Sequence, residues 1–181
     1  MFNEDSRVKI PAILHLCRLG YTYIPKSKQD RLEENNIFPD IFKRSISKIN
    51  PQISEEEIQR LLTDVSLKLN YDDLGREFFR SLVNSSGTKL IDFENFNNNE
   101  FHVTTELTCK KGDEEFRPDI TVLINGMPLV FIEVKKPNNR EGVIAERNRI
   151  NKRFALKDFR AFTNVTQLML FSNNMEYEDG V

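Results

Sequence analysis

Apolar residues recur with helical spacing in the first half of the chain. Apolar side chains three or four positions apart are typical of an amphipathic helix. The stretches with this spacing are residues 8–19, 37–49, 54–69 and 73–83. Gly20 follows the first stretch as a helix stop, and Ser54 with Glu57 three residues later has the spacing of a capping box. The pattern predicts an amino-terminal helix and then a block of three helices.

Strand patterns dominate the second half. Two runs rich in Ile, Val, Leu and Phe flank Asn125-Gly126, the strongest short-range signal of a β-hairpin. A helical pattern follows Asn138-Asn139, with Val143, Ile150 and Phe154 on one face and Glu146, Arg149 and Arg153 on another. Further strands are predicted at residues 89–93, 101–109 and 165–171. This order predicts a mixed α/β sandwich, in which helices flank a central mixed sheet and the helical block packs beside it.

Charged residues interrupt the predicted hairpin. Asp119 stands near the start of its first run, and Glu133 and Lys135 stand two positions apart near the end of the second, on one face of the strand. An ionised carboxylate without a partner in a low-dielectric setting costs several kcal/mol, so a salt bridge or a bound cation is expected. The same spacing also fits a surface hairpin whose polar face is simply solvated.

A bound cation would make these residues a candidate catalytic site. Two carboxylates and a backbone carbonyl are hard oxygen ligands of the kind that Mg²⁺ prefers. Asp119, Glu133 and the carbonyl of Val134 are therefore candidate metal ligands. Lys135 could orient an attacking water or offset developing negative charge, so Asp119, Glu133 and Lys135 form a candidate catalytic set for phosphodiester hydrolysis.

This chemistry restricts the register of the hairpin. With a regular two-residue turn at Asn125-Gly126, Asp119 would oppose Ile132. Glu133 would then point to the opposite face, and the two carboxylates could not share a cation. A loop of three residues, or a bulge on either strand, restores a common face. We therefore predict an odd-length loop or a bulge.

Basic residues are concentrated directly after the predicted hairpin. The segment 135–160 holds nine basic and three acidic residues, although the whole chain has a net charge of -2. A phosphate backbone near the carboxylates would lie against such a segment. The candidate DNA-binding residues are Lys136, Arg140, Arg149 and Arg153. A solvated helix face is the alternative.

Composition excludes several classes of protein. The 181 residues suffice for one domain with a core, and no apolar run approaches the roughly 20 residues of a membrane span. Cys17 and Cys109 are too few for a disulfide framework, which favours a reducing, cytoplasmic location. Two histidines make zinc chemistry improbable, and no phosphate-binding loop for ATP occurs in the sequence.

The hairpin residues also resemble a known signature. Pro118-Asp119 followed by Glu133, Val134 and Lys135 resembles the PD-(D/E)xK nuclease motif. The surroundings LIDFENFNNNEFHV and NGMPLVFIEVKKP, together with NEDSRVKIPAILHLCRLGY and TQLMLFSNNMEY, are similar to the amino-terminal nuclease domain of type I restriction endonuclease R subunits. This resemblance covers most of the chain.

The resemblance implies both a fold and an activity. It implies a restriction-endonuclease-like catalytic core at about residues 89–175, with the helical segment at about 37–85 as an addition. The implied activity is Mg²⁺-dependent cleavage of double-stranded DNA. In that family an early acidic residue often completes the metal site, which points to Glu4; an amino-terminal charge that favours the dipole of the first helix is the alternative. The helix after the strand often carries a Gln and a Tyr, and this sequence departs from that pattern.

The resemblance also implies a larger assembly. ATP-driven translocation belongs to motor domains that follow the nuclease domain, so the chain is expected to be a fragment of a longer subunit. Modification and specificity subunits would be its partners, and the specificity subunit would choose the DNA site. Two other functions remain open: a nonenzymatic DNA-binding or docking module that retains the fold, and a repair or recombination nuclease.

Overall fold

The structure, a computed structural model, describes residues 5–84, 86–111, 114–136 and 140–173. The helices are α1 (Ile10–Arg18), α2 (Pro39–Ile49), α3 (Glu55–Lys68), α4 (Arg76–Val83), α5 (Arg140–Phe154) and α6 (Arg160–Val165). The strands are β1 (Thr22–Ile24), β2 (Phe101–Thr105), β3 (Cys109–Lys111), β4 (Glu114–Phe116), β5 (Ile120–Ile124), β6 (Met127–Val134) and β7 (Leu168–Ser172). A π-helical turn (Asp5–Lys9) leads into α1, and none of the described helices is long and apolar enough to cross a membrane.

Five strands form one mixed sheet in the order β1-β2-β5-β6-β7. The two outer pairs, β1 with β2 and β6 with β7, are parallel, whereas β2-β5 and β5-β6 are antiparallel. Strands β3 and β4 form a separate antiparallel pair. The mixed central sheet flanked by helices that the sequence predicts is therefore confirmed.

The β5-β6 hairpin has both a two-residue turn and a bulge. Ile124 pairs with Met127 across Asn125-Gly126, whose φ angles of 51° and 78° are those of a type I′ turn. The register then shifts, because Leu123 pairs with Pro128 while Val122 pairs with Val130. The additional residue on β6 is Leu129.

The bulge confirms the prediction made from the spacing of the charges. Beyond it Ile120 pairs with Ile132, so the register places Asp119 across from Glu133. Without the additional residue these two side chains would emerge on opposite faces. The sheet therefore brings both carboxylates to one side.

Each face of the sheet is covered by helices. Val8 and α1 pack on Val103, Ile120, Val122 and Ile132 on one face. On the other face Ile150 of α5 joins an aromatic cluster of Phe116, Phe131, Phe159 and Phe162. Helices α2 to α4 share a third cluster with Met127 and Leu129 of β6, so the helical block and the hairpin are packed together.

The hairpin turn is the point at which this block is anchored. The fully buried side chain of Asn125 accepts a hydrogen bond from the backbone N–H of Glu100 and donates to the carbonyl of Leu90 and to Asn99 Oδ1. The carbonyl of Gly126 accepts a hydrogen bond from the N–H of Phe38, directly before α2, at 2.9 Å. The predicted capping box at the start of α3 is also present, with Ser54 and Glu57 bonded reciprocally.

Three of the strands predicted from the sequence differ in the structure. Residues 89–93 are not a strand, because the N–H groups of Lys89 and Asp92 donate to the side chains of Asn50 and Asn99. The strand predicted at 101–109 is broken after Thr105, where Glu106 adopts a φ of 50°. The last strand begins only at Leu168, since residues 160–165 form α6.

We expect Gly126→Ala to destabilise the protein strongly. An added Cβ would lie 2.7 Å from both the carbonyl oxygen of Phe38 and the amide nitrogen of Phe42, and the positive φ adds strain. We expect a loss of about 3–5 kcal/mol in unfolding free energy, because backbone overlap adds to the left-handed penalty. Gly87→Ala is the matched control, since its φ is +93° and nothing lies within 4 Å of its Cβ. Urea unfolding should show a loss of only about 1–2 kcal/mol for the control, and equal losses would contradict the packing argument.

Candidate active site

The three residues singled out in the hairpin lie together at its open end. Asp119 directly precedes β5, and its Oδ2 accepts a hydrogen bond from the backbone N–H of Val134 at 2.9 Å. Glu133 is the penultimate residue of β6, and Lys135 directly follows that strand. The backbone amide therefore fixes one oxygen of Asp119 beside the strand that carries Glu133.

Lys135 lies between two carboxylates. Its Nζ donates to Glu133 Oε1 at 2.9 Å and lies 3.6 Å from Glu146 Oε2. All three side chains are largely buried, with exposures of 17%, 11% and 6% for Lys135, Glu133 and Glu146. The ammonium is therefore held in place on both sides.

Sequence reasoning missed the position of Glu146. Its spacing placed it on the polar face of α5 with Arg149 and Arg153, and most residues of this helix are exposed. In the structure Glu146 is 5% exposed and lies one turn from Ile150, which is also buried. The i, i+4 spacing of Glu146 and Ile150 was the available signal, because both residues lie on the side of α5 that packs against the sheet.

A second lysine approaches the site from the other end of the chain. Lys9 Nζ lies 3.1 Å from Glu106 Oε1 and 3.8 Å from Asp119 Oδ1. Lys26 contacts the other oxygen of Glu106 at 3.0 Å. Hydrogen bonds from Lys26 and Lys9 lower the pKa of Glu106 to about 2. Lys9 was also missed, since a lysine at the start of a helical pattern reads as an exposed residue.

The electrostatics reflect an excess of carboxylates. Burial raises the pKa of Glu133 to about 7 despite the hydrogen bond from Lys135, and the charges of Asp119 and Glu146 add to this rise. Burial acts to lower the pKa of Lys135, but the hydrogen bond to Glu133 and the surrounding carboxylates outweigh it, so this pKa is raised. One ammonium thus serves several carboxylates, which favours the charged form of Lys135 and the protonated form of Glu133.

The carboxylate oxygens of Asp119 and Glu133 provide some of the ligands that a hard divalent cation needs. Among the described residues no group of three or more His, Cys, Asp and Glu side chains is arranged to hold a metal ion. Asp119 and Glu133 offer two carboxylates, and the charges of Asp119 and Glu146 around Glu133 concentrate negative charge at this point. A bound cation relieves such an excess, with backbone carbonyls and waters as its other ligands.

The remaining candidate residues differ in their exposure and in their distance from the site. Glu4 lies outside the described residues, and nothing is described of the side chain of Arg140. Lys136 is exposed directly after Lys135. Arg149 is 60% exposed and lies 2.9 Å from Glu146, at the rim of the site. Arg153 packs its guanidinium 4.5 Å from the centre of the Phe116 ring, so part of its role is structural.

The sequence matches the family described as "Type I restriction enzyme R protein N terminus" over residues 1–178. The chain belongs to this family. The resemblance seen in the sequence motifs is thereby confirmed, and the hairpin with Asp119, Glu133 and Lys135 lies within the matched region.

Several relatives carry related names. The chain is 28% identical to a putative type I restriction enzyme MjaIXP endonuclease subunit of Methanocaldococcus jannaschii, over 98% of the chain and 19% of that protein. It is 30% identical to the type I restriction enzyme SauMSSORF170P endonuclease subunit of Staphylococcus aureus, over 86% of the chain and 15% of that protein. The HindI endonuclease subunit of Haemophilus influenzae is 23% identical over 80% of the chain. The chain thus spans less than a fifth of the length of these relatives.

The raised pKa of Glu133 predicts a pH dependence of stability in metal-free protein. Folded Glu133 keeps its proton up to about pH 7, whereas the unfolded chain releases it near its ordinary value of 4.5. Between these values the folded state binds more protons, so rising pH favours unfolding. In EDTA, the unfolding free energy of the wild type relative to Glu133→Gln should fall by about 1–3 kcal/mol from about pH 5 to about pH 8. Urea unfolding across this range measures it, and a difference that stays constant or rises with pH would rule out the assigned protonation.

Proposed function

We propose that this chain is the Mg²⁺-dependent endonuclease domain of a type I restriction enzyme R subunit, and that it hydrolyses phosphodiester bonds of double-stranded DNA. The observation that carries the proposal is the bulge in β6, since it places Asp119 across from Glu133, next to Lys135. Membership of the family supports the same assignment. An arrangement that served only to stabilise the hairpin would not need two largely buried acids, Glu133 and Glu146, on one lysine.

The proposed roles follow from the positions of the side chains. Asp119 and Glu133 hold the cation, with the carbonyl of Val134 as a further candidate ligand. When bound, a divalent ion lowers the pKa of a coordinated water and stabilises charge on a phosphate oxygen. Lys135 orients the attacking water or offsets the negative charge that develops on the phosphate. Burial of Lys135 between Glu133 and Glu146 fixes its position before the substrate arrives.

The proposed substrate contact lies on the side of α5. Lys136 and Arg149 are exposed beside the carboxylates, where a DNA backbone can reach them. Arg140 and Arg153 extend the same basic segment along the chain. In a complete enzyme we expect modification and specificity subunits as partners and ATP hydrolysis in motor domains outside this chain. This division leaves DNA cleavage to the domain described here.

Substitutions at Lys135 and Asp119 should separate cleavage from metal binding. Lys135→Ala should reduce cleavage of supercoiled plasmid by at least about 100-fold, because an acid–base or charge-stabilising group is lost while the ligands remain. Asp119→Ala should lose both cleavage and Mn²⁺ binding. A nicking assay with the R subunit in its complex, paired with calorimetric titration, measures both properties. Full cleavage by either variant would contradict the mechanism and favour a nonenzymatic module.

The basic segment should set the salt dependence of DNA binding. Each phosphate contact contributes about 0.9 to the slope of log K against log salt, so the variant Lys136→Ala/Arg149→Ala should reduce that slope by roughly 2. Lys43→Ala/Arg60→Ala removes the same charge from exposed positions on α2 and α3 and is the matched control. Fluorescence anisotropy with a short duplex over a salt series measures the slope. Equal slopes for the two double variants would exclude this segment as the DNA contact.

A further inference from the structure

Lys9 is a buried cation at one of the proposed metal ligands. It is 8% exposed, and its Nζ lies 3.8 Å from Asp119 Oδ1. Its position is fixed from the other side by Glu106, whose Oε1 lies 3.1 Å from the same ammonium. Because this ammonium is buried and paired, its charge acts on Asp119 with little screening by water.

The two oxygens of Asp119 have different partners. Oδ2 accepts the hydrogen bond from Val134, while Oδ1 faces Lys9. Lys135 contacts Glu133 and Glu146, whereas Lys9 contacts Asp119 and Glu106. Lys135 reaches the site from the end of β6, whereas Lys9 reaches it from the turn that leads into α1.

We propose that Lys9 is a positioning residue that acts as the resident counter-cation of Asp119 and lowers the affinity of the site for divalent ions. The inference rests on the proposed function, because it takes Asp119 as a metal ligand. A divalent ion on Asp119 lies within a few ångströms of the ammonium and is repelled by it. Water screens this repulsion weakly, since Lys9 is buried.

Glu106 has the opposite effect in this arrangement. Its carboxylate compensates the charge of Lys9 and draws the ammonium away from Asp119. The hydrogen bond from its N–H to the carbonyl of Asp119, at 3.3 Å, keeps Glu106 beside Asp119. Lys9 and Glu106 thus form one ion pair whose two members change the metal affinity in opposite directions.

An electrostatic role predicts that substitutions at Lys9 and Glu106 change the metal affinity in opposite directions, whereas a structural role predicts the same direction for both. Removing the charge of Lys9 should raise the affinity for Mn²⁺ and Mg²⁺ roughly ten-fold, as expected for loss of a nearby like charge. Removing the charge of Glu106 should lower it several-fold. If the ion pair only held α1 against the sheet, either substitution would loosen Asp119 and lower the affinity.

The experiment is calorimetric titration of the chain with Mn²⁺, and then with Mg²⁺, using Lys9→Met, Lys9→Gln and Glu106→Gln. Thermal unfolding shows that each variant is folded. Lys9→Arg keeps the charge and should bind as the wild type does. Lys26→Met is the matched control, because Lys26 contacts the same Glu106 but its side chain is 57% exposed; we expect a change within about two-fold, as for an exposed, screened charge.

Each outcome separates the two proposals. Tighter binding by both neutral Lys9 variants and weaker binding by Glu106→Gln would support the inference. Unchanged or weaker binding by folded Lys9→Met and Lys9→Gln would overturn it while leaving the metal site in place. If wild-type binding is absent, or is unaffected by Asp119→Ala, both this inference and the proposed function fail.

Discussion

Side chains on a β-strand alternate between two faces, so one additional residue moves everything beyond it to the other side. In this protein that residue is Leu129, between the turn and the end of β6. Its side chain lies in the cluster that joins the helical block to the sheet. The bulge therefore has two effects: it inserts an apolar group into the core, and it turns Glu133 toward Asp119. The position of the site is inseparable from the packing of the block.

The site is assembled from parts of the chain that are distant in sequence. The hairpin supplies Asp119, Glu133 and Lys135, the turn before α1 supplies Lys9, and α5 supplies Glu146. Each added group is charged opposite to the hairpin residue it approaches. Burial would make any one of these charges unfavourable alone, and their mutual pairing offsets part of the lost hydration. The amino-terminal segment and α5 are therefore part of the electrostatics of the site as well as of the fold.

Local patterns were enough to predict much of this arrangement. The Asn-Gly pair predicted the turn, the capping box predicted the start of α3, and the parity of the charges predicted a bulge or an odd-length loop. Contacts between distant residues were out of reach. Lys9 stands in an ordinary polar position of a helical pattern, and only the tertiary fold buries it. For Glu146 the spacing from Ile150 indicates the buried side of α5, but it does not indicate the contact with Lys135. Residues 89–93 failed as a strand for the same reason, since side-chain amides at Asn50 and Asn99 take the hydrogen bonds that a neighbouring strand would take.

The burial of Asn125 also bears on chemical ageing. In flexible chains an asparagine before glycine readily loses its amide nitrogen, because the unhindered following nitrogen can attack the side chain. Here both amide atoms of the Asn125 side chain form hydrogen bonds. Its oxygen accepts from the N–H of Glu100, and its nitrogen donates to the carbonyl of Leu90 and to Asn99 Oδ1. The folded turn is thus protected from a reaction to which the unfolded chain is exposed. An aspartate formed while the chain is open would bury a carboxylate facing two acceptor oxygens, so ageing of the unfolded protein would impair its return to the native state.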